Sequence, residues 1–129
     1  MLTAQENGEL SLSVAGVDRA SIAEHATEAL VTVGLEDRRA HTAAELSRGE
    51  QHRVAIARAL AKRPVIVIAD EPTAQLDGET AAGIVSLLCA VAKTGMATHD
   101  TAAVESADRV MLMEDGRLTA SPSRTVPSA

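Results

Sequence analysis

Apolar residues recur at helical spacing in three stretches of the chain, and each stretch follows a residue that can cap a helix. The first stretch follows Ser21 and Glu24, which have the spacing of a capping box. The second follows Ser47 and Glu50, which have the same spacing, and the third follows Asp77. The pattern predicts three helices, whose inward-facing residues are Ile22, Ala26, Ala29, Leu30 and Val33 in the first, Val54, Ile56, Ala57, Leu60 and Ala61 in the second, and Ile84, Leu87, Leu88 and Val91 in the third.

A continuous apolar run at residues 65–69 follows the second helix. It shows no alternation, which is typical of a strand buried on both faces of a parallel sheet. Residues 95–98 predict a very short second strand, and residues 109–113 and 117–119 predict two strands joined by an Asp-Gly turn. Because strands and helices alternate over residues 47–107, the pattern indicates an α/β fold with parallel strands.

The remaining segments carry weaker patterns. Residues 1–17 hold apolar side chains scattered among polar ones, which favours a loop plus a weak helix. Gly34 can adopt the left-handed conformation that ends the first helix, and residues 36–44 form a polar connector. Residues 120–129 are rich in Ser, Pro and Ala, so we expect a disordered tail there.

Composition narrows the possible functions. A chain of 129 residues is long enough for one small domain with a core. The absence of Phe, Tyr and Trp argues against base stacking, and the net charge of −6 disfavours nucleic acid as a partner. The single cysteine, Cys89, excludes an internal disulfide and fits a reducing compartment. With no apolar run of membrane-span length and no signal peptide, the sequence predicts a cytoplasmic protein.

Four polar residues follow predicted strands or open predicted helices, where they could take part in chemistry. Asp70 and Glu71 end the first strand, at the edge where parallel sheets bind ligands. One carboxylate could hold Mg²⁺ through water while the other orients an attacking water, or both could simply be solvated. The helix at Ser47 is either an anion site or an ordinary capped helix. His99 could donate to a phosphate oxygen or be a surface residue.

Taken in order along the chain, these segments resemble the motifs of ABC-type ATPases. Residues 46–51, which read Leu-Ser-Arg-Gly-Glu-Gln, are similar to the signature motif. Residues 65–71 resemble the Walker B strand with its catalytic glutamate, and residues 74–77 resemble the D-loop. Residues 98–100 resemble the switch-histidine segment, and residues 2–7 the start of the helical subdomain. The nearest subgroup is the lipoprotein-release, macrolide-export and cell-division type.

The resemblance implies a catalytic role for three residues. It implies that Asp70 supports Mg²⁺ through water and that Glu71 polarises the water that attacks the γ-phosphate of ATP. His99 would contact the same phosphate. ATP and Mg²⁺ are therefore the implied ligands, and catalysis would consist mainly of positioning and charge stabilisation.

The resemblance also implies roles at a dimer interface. Ser47, Gly49 and Gln51 would touch the γ-phosphate of an ATP that the opposite subunit of a head-to-tail dimer holds. Asp77 would lie at the interface and couple the two sites. The implied partners are a second ATP-binding subunit and a membrane permease, at the inner face of the cell membrane.

The implied architecture is a partial P-loop NTPase fold of the ABC ATPase type, covering residues 1–119. Within it, residues 1–46 would form the helical subdomain. Residues 47–119 would carry the signature helix and the C-terminal part of a mainly parallel sheet with flanking helices. The tail at 120–129 would follow.

The chain also departs from the family pattern. It contains no Gly-x-x-x-x-Gly-Lys-Ser/Thr P-loop, no glutamine loop and no adenine-stacking aromatic residue. Arg48 replaces the first glycine of the signature pair, and the segment at residues 93–99 is short. We therefore expect an N-terminally truncated ATP-binding subunit that is inactive alone. The alternatives are a non-hydrolysing interaction module and a non-functional gene fragment.

Overall fold

The computed structural model describes residues 1–91, 96–98 and 111–120. Two short 3₁₀ helices, Glu36–Arg38 and Ala43–Glu45, lie in the connector between the second and third α-helices. Within the described ranges, the elements in chain order are α1 (Ala4–Val14), α2 (Arg19–Thr32), α3 (Arg48–Leu60), β1 (Val67–Ala69), α4 (Gly78–Val91), β2 (Met96–Thr98), β3 (Met111–Glu114) and β4 (Arg117–Ala120).

Helix α1 shows that the expectation of a loop plus a weak helix at the N-terminus was wrong. Thr3 caps the helix: its Oγ1 accepts the Glu6 N–H at 3.2 Å, and its own N–H donates to Glu6 Oε2 at 2.8 Å. The buried residues of α1 are Ala4, Gly8 and Leu12. Ala4 and Gly8 have side chains too small to stand out as large apolar residues, so the hydrophobic pattern did not indicate a strong amphipathic helix.

Helix α2 was predicted correctly as an element but not at its start. Asp18, not Ser21, caps it, and the Asp18 carboxylate accepts the backbone N–H two residues later at 3.3 Å. Its end is as expected, because Gly34 has a φ of 72°. The N–H of Leu35 then donates to the Leu30 carbonyl at 2.9 Å, which completes a Schellman motif and buries both leucines.

Helix α3 joins two apolar clusters. The larger cluster packs α1, α2 and α3 together, and its buried residues are Ala4, Leu12, Ala26, Ala29, Leu30, Val33, Leu35, Leu46, Val54, Ala57 and Ala61. The smaller cluster comprises Ala69, Ile84 and Leu88. Ile56 on α3 packs against both clusters. In the part of the chain described here, none of the helices combines the length and the apolar character needed to cross a bilayer.

Strand β1 departs from the expectation of a five-residue strand buried on both faces. It spans only Val67–Ala69 and pairs in parallel with β2, with Val67 opposite Met96. Ala69 is buried, but Ile66 and Ile68 are 62% and 81% exposed. The reason is that helices cover one face of β1, and no other strand within residues 1–91, 96–98 and 111–120 pairs with it.

The predicted hairpin is present over residues 111–120. Strands β3 and β4 pair antiparallel, with Glu114 opposite Arg117. Asp115 and Gly116 have φ values of 49° and 75°, as a two-residue turn of the primed type requires. Residues 121–129 of the expected tail lie outside the described residues.

The packing of α1 on α2 predicts the effect of Gly8→Ala. A Cβ at Gly8 would lie 3.0 Å from the Cβ of Ala26, which is fully buried. Alanine gains about 1 kcal/mol of helix propensity, but overpacking costs about 1–3 kcal/mol. We expect Gly8→Ala to lower the melting temperature measured by circular dichroism.

Gly78→Ala is the matched control for this prediction. Gly78 is the first residue of α4, and a Cβ there would meet no atom within 4 Å. Its melting temperature should equal or exceed that of the wild type. A rise in melting temperature for Gly8→Ala as well would show that α1 and α2 do not approach each other as closely as described.

Candidate functional site

Helices α3 and α4 begin side by side, and their first turns line a cleft of about 640 Å³. The α3 side contributes Ser47, Gly49 and Arg53. The α4 side, with the turn before it, contributes Gln75, Asp77 and Thr80. The positive ends of two helix dipoles therefore open into one cleft, which the carboxylates of Glu50, Asp77 and Glu79 and the side chains of Arg48 and Arg53 also line.

Ser47 is the N-cap of α3, as the sequence predicted. Its hydroxyl oxygen accepts the Glu50 N–H at 3.2 Å, and its N–H donates to Glu50 Oε2 at 2.8 Å. The bond from the Ser47 N–H, then a hydrogen bond from the Ser47 side chain, and to a smaller extent Arg38 at 3.1 Å, hold the pKa of the Glu50 carboxyl below its ordinary value. The Ser47 side chain is exposed, and its hydroxyl has one proton, which it can donate to the Glu50 carboxylate or to a bound anion.

Gly49 sets how closely α3 approaches α4. A Cβ at this position would lie only 2.7 Å from the Thr80 Cγ2, so a side chain would collide with the first turn of α4. The neighbouring Arg48, which stands where the family pattern has a glycine, is exposed at the first position of α3. The helix therefore starts normally despite the arginine.

Gln51 lies behind the cleft rather than in it. Its Nε2 donates to the carbonyls of Ala43 and Leu46 at 2.8 and 3.1 Å. In this structure the amide thus holds the connector that leads into Ser47. These bonds fix the turn that places the Ser47 hydroxyl, and the contact with phosphate that the resemblance implies for Gln51 stays a prediction.

Asp77 caps α4 from the opposite side of the cleft. Its Oδ1 accepts the Thr80 N–H at 3.0 Å, and its Oδ2 accepts the Thr80 hydroxyl at 2.7 Å. The Thr80 backbone bond and then its hydroxyl bond lower the pKa of the Asp77 carboxyl. The carboxylate is exposed and remains ionised at neutral pH.

Asp70 and Glu71 follow β1 and are exposed. Glu71 has a φ of 44° and Gln75 a φ of 63°, so two non-glycine residues in this turn occupy the left-handed region. Such conformations cost free energy and often occur at functional sites.

One carboxylate at a strand end suits Mg²⁺, which keeps several waters and binds one or two carboxylates beside phosphate oxygens. Within the described residues, no group of three or more His, Cys, Asp or Glu side chains could hold a metal ion.

The structure brings together three of the residues singled out in the sequence: Ser47, Gly49 and Asp77 share one cleft. Asp70 and Glu71 lie outside that cleft lining. His99 lies outside the described residues, so its role stays a prediction.

Sequence reasoning missed Thr80 and Arg53. Thr80 follows Asp77 by three residues, the spacing at which a capping residue meets the helix backbone, so that pattern could have indicated it. Arg53 donates from Nη1 to the Val33 carbonyl at 3.0 Å, and its Nη2 lies 3.4 Å from where a Cβ on Gly83 would be. Arg53 thus links the end of α2 to α4, and no local pattern predicts this contact.

The sequence of this chain is similar to the sequences of known proteins. The family model described as ABC transporter matches residues 1–74. The chain is similar to the lipoprotein-releasing system ATP-binding protein LolD of Syntrophotalea carbinolica, with 45% identity over 122 residues, which is 91% of this chain and 54% of that protein. LolD of Nitrobacter winogradskyi is 42% identical over 121 residues, covering 90% of this chain and 52% of that protein. The chain therefore spans about half the length of the curated relatives it matches.

Solved structures show the same likeness. The dimeric structure of MJ0796, a bacterial ABC transporter cassette, matches with a TM-score of 0.68 and 37% identity, covering 93% of this chain and 57% of that one. A second dimeric structure of MJ0796, in a post-hydrolysis state bound to ADP and Pi, matches with a TM-score of 0.67 and 35% identity, with the same coverage. The described fold is thus a partial ABC ATPase fold.

The cap at Ser47 predicts how stability depends on pH. The pKa of Glu50 is lower in the folded chain than its ordinary value of 4.5, so the unfolded chain binds more protons in acid. The stabilisation is present above the ordinary pKa and is lost as the pH falls through the folded pKa. We expect the melting temperature of Glu50→Gln to fall less steeply than that of the wild type between about pH 5 and pH 3.

Glu24→Gln removes the same charge from the exposed face of α2 and serves as the control. Its pH dependence should follow that of the wild type. Parallel curves for Glu50→Gln and the wild type would contradict the bonds described at the start of α3.

Proposed function

The chain belongs to the ABC transporter family, and from that premise we propose that it supplies the signature-bearing part of an ATP-binding subunit that couples ATP hydrolysis to membrane transport. The observation that carries this proposal is the shared cleft of Ser47, Gly49 and Asp77 at the first turns of α3 and α4. It provides a hydroxyl, free amides and two helix dipoles for a phosphate.

Ser47 and Gly49 contact the γ-phosphate of an ATP that a second subunit holds through its own P-loop. Asp77 lies at the interface between the two subunits, and Gln51 keeps the signature turn in place through the connector. The dimeric structures of MJ0796, one of them bound to ADP and Pi, support a dimer as the functional unit. The wide, exposed rim of the cleft fits a ligand that another protein presents.

Asp70 and Glu71 serve the chemical step in a complete ATP site. Asp70 supports Mg²⁺ through water, and Glu71 polarises the water that attacks the γ-phosphate. His99 contacts the same phosphate. The strained turn that begins at Glu71 supports a functional role for this strand end.

The remaining assignments follow from the family. Residues 1–46 form the helical subdomain and residues 47–119 the signature helix with the catalytic α/β part. The relatives are named as ATP-binding proteins of a lipoprotein-releasing system. We therefore place this chain in the cytoplasm, bound to a membrane permease and to a second ATP-binding subunit.

Complementation tests this proposal. The 129-residue chain would be mixed with an intact ABC ATP-binding domain that keeps its P-loop but has a damaged signature motif. Release of inorganic phosphate should rise at least about tenfold over either protein alone, because one donor to a developing charge is worth about 10²–10³ in rate. The chain alone should show no more turnover than its Glu71→Gln variant.

Ser47→Arg in this chain should abolish the gain, because the arginine removes the cap and fills the cleft. Ser13→Arg is the matched control, since Ser13 is exposed near the C-terminal end of α1. This part of α1 is far from the cleft, because the nearby Ser11 hydroxyl donates to the carbonyl of Arg58, at the opposite end of α3 from Ser47. Binding of the two proteins without any gain would contradict the proposal and favour a non-hydrolysing interaction module.

A further inference from the structure

Thr80 contacts both sides of the cleft, and the proposed function does not use it. Its N–H and its hydroxyl bind the two carboxylate oxygens of Asp77, at 3.0 and 2.7 Å. Its methyl group faces Gly49, where an added Cβ would come within 2.7 Å. The half-buried side chain of Thr80 therefore contacts both the Asp77 carboxylate and the first turn of α3 at Gly49.

We propose that Thr80 is a positioning residue that fixes the Asp77 carboxylate and the first turn of α3 relative to each other. This inference rests on the proposed function, in which both groups face one nucleotide. Thr80 itself touches neither phosphate nor the attacking water.

The two branches of the Thr80 side chain, its hydroxyl and its methyl group, make different contacts. A charged acceptor makes the hydroxyl bond strong, and that bond selects one χ1 rotamer of the β-branched residue. The methyl group cannot then turn away from Gly49 unless the bond to Asp77 breaks. The position of Asp77 is therefore coupled mechanically to the spacing between α3 and α4.

Substitutions can separate the two branches. Thr80→Ser keeps the hydroxyl and removes the methyl group, whereas Thr80→Val keeps the methyl group and removes the hydroxyl. Thr80→Ala removes both with the smallest steric change, and replaces Thr80→Val if that variant does not fold.

The first experiment measures the coupling to Gly49 without any activity assay. Gly49→Ala should lower the melting temperature of the full chain by about 5–10 °C, because the new Cβ collides with the methyl group. In a Thr80→Ser background, Gly49→Ala should lower the melting temperature by less than half as much. Equal losses in both backgrounds would overturn the inference, because the two positions would then be independent.

The second experiment measures the coupling to Asp77. The Asp77 carboxyl, followed by NMR titration, should keep its lowered pKa in Thr80→Ser and should rise only in part in Thr80→Val, because the backbone N–H bond remains when the hydroxyl bond is lost. In the complementation assay, Thr80→Val should lower the maximal rate about fivefold or more, as for the loss of a hydrogen bond to a charged group. The KM for ATP should stay within about twofold, because the partner holds the nucleotide, and Thr80→Ser should retain most of the rate.

The outcomes separate this inference from the proposed function. If the wild-type chain fails to complement, the proposed function fails, while the melting and titration experiments still decide the positional role of Thr80. If the wild-type chain complements and Thr80→Val matches it in rate and in the Asp77 titration, the inference about Thr80 is overturned and the proposed function stands.

Discussion

Helix α3 packs against α1, α2 and α4, and the arrangement of those helices depends on it. It contacts α1 and α2 through the larger apolar cluster and α4 through the smaller one, and Ile56 belongs to the packing of both. Because protein interiors are close-packed, a shift of α3 would disturb both clusters together. The Ser47 cap and the Arg53 contact to the end of α2 fix this helix at the end where the cleft opens.

The cleft is a consequence of that packing. Two helices can begin side by side only if their first turns approach closely, and Gly49 permits the approach. The start of each helix is then held by a carboxylate, Glu50 on α3 and Asp77 on the turn before α4. Both carboxyl groups have lowered pKa values because they accept backbone and hydroxyl bonds. Two helix starts, the Ser47 and Thr80 hydroxyls and two ionised capping carboxylates thus meet in one place.

The turn after β1 has a different character. Its carboxylates lie at an exposed strand end and its backbone includes two left-handed non-glycine residues, Glu71 and Gln75. Most of the cleft is built from regular helix starts, but Gln75 also lines it, so this turn brings a left-handed residue into the cleft.

Short-range patterns in the sequence determined much of this protein. The cap at Ser47, the cap at Asp77, the left-handed end at Gly34 and the Asp115–Gly116 turn each depend on residues within one turn of one another. The order of the signature, Walker B, D-loop and switch-histidine motifs along the chain also identified the family. The same local rules failed at α1, where small buried residues left no visible apolar stripe.

Only the tertiary structure decided which surfaces are covered and which residues meet. The apolar run at residues 65–69 predicted a strand buried on both faces, but burial depends on what packs against a strand, and Ile68 is 81% exposed. The contact between Gly49 and Thr80 joins residues on different helices, as does the bond from Arg53 to Val33. These distances arise from the packing of α3 against its neighbours, which no spacing within a single segment encodes.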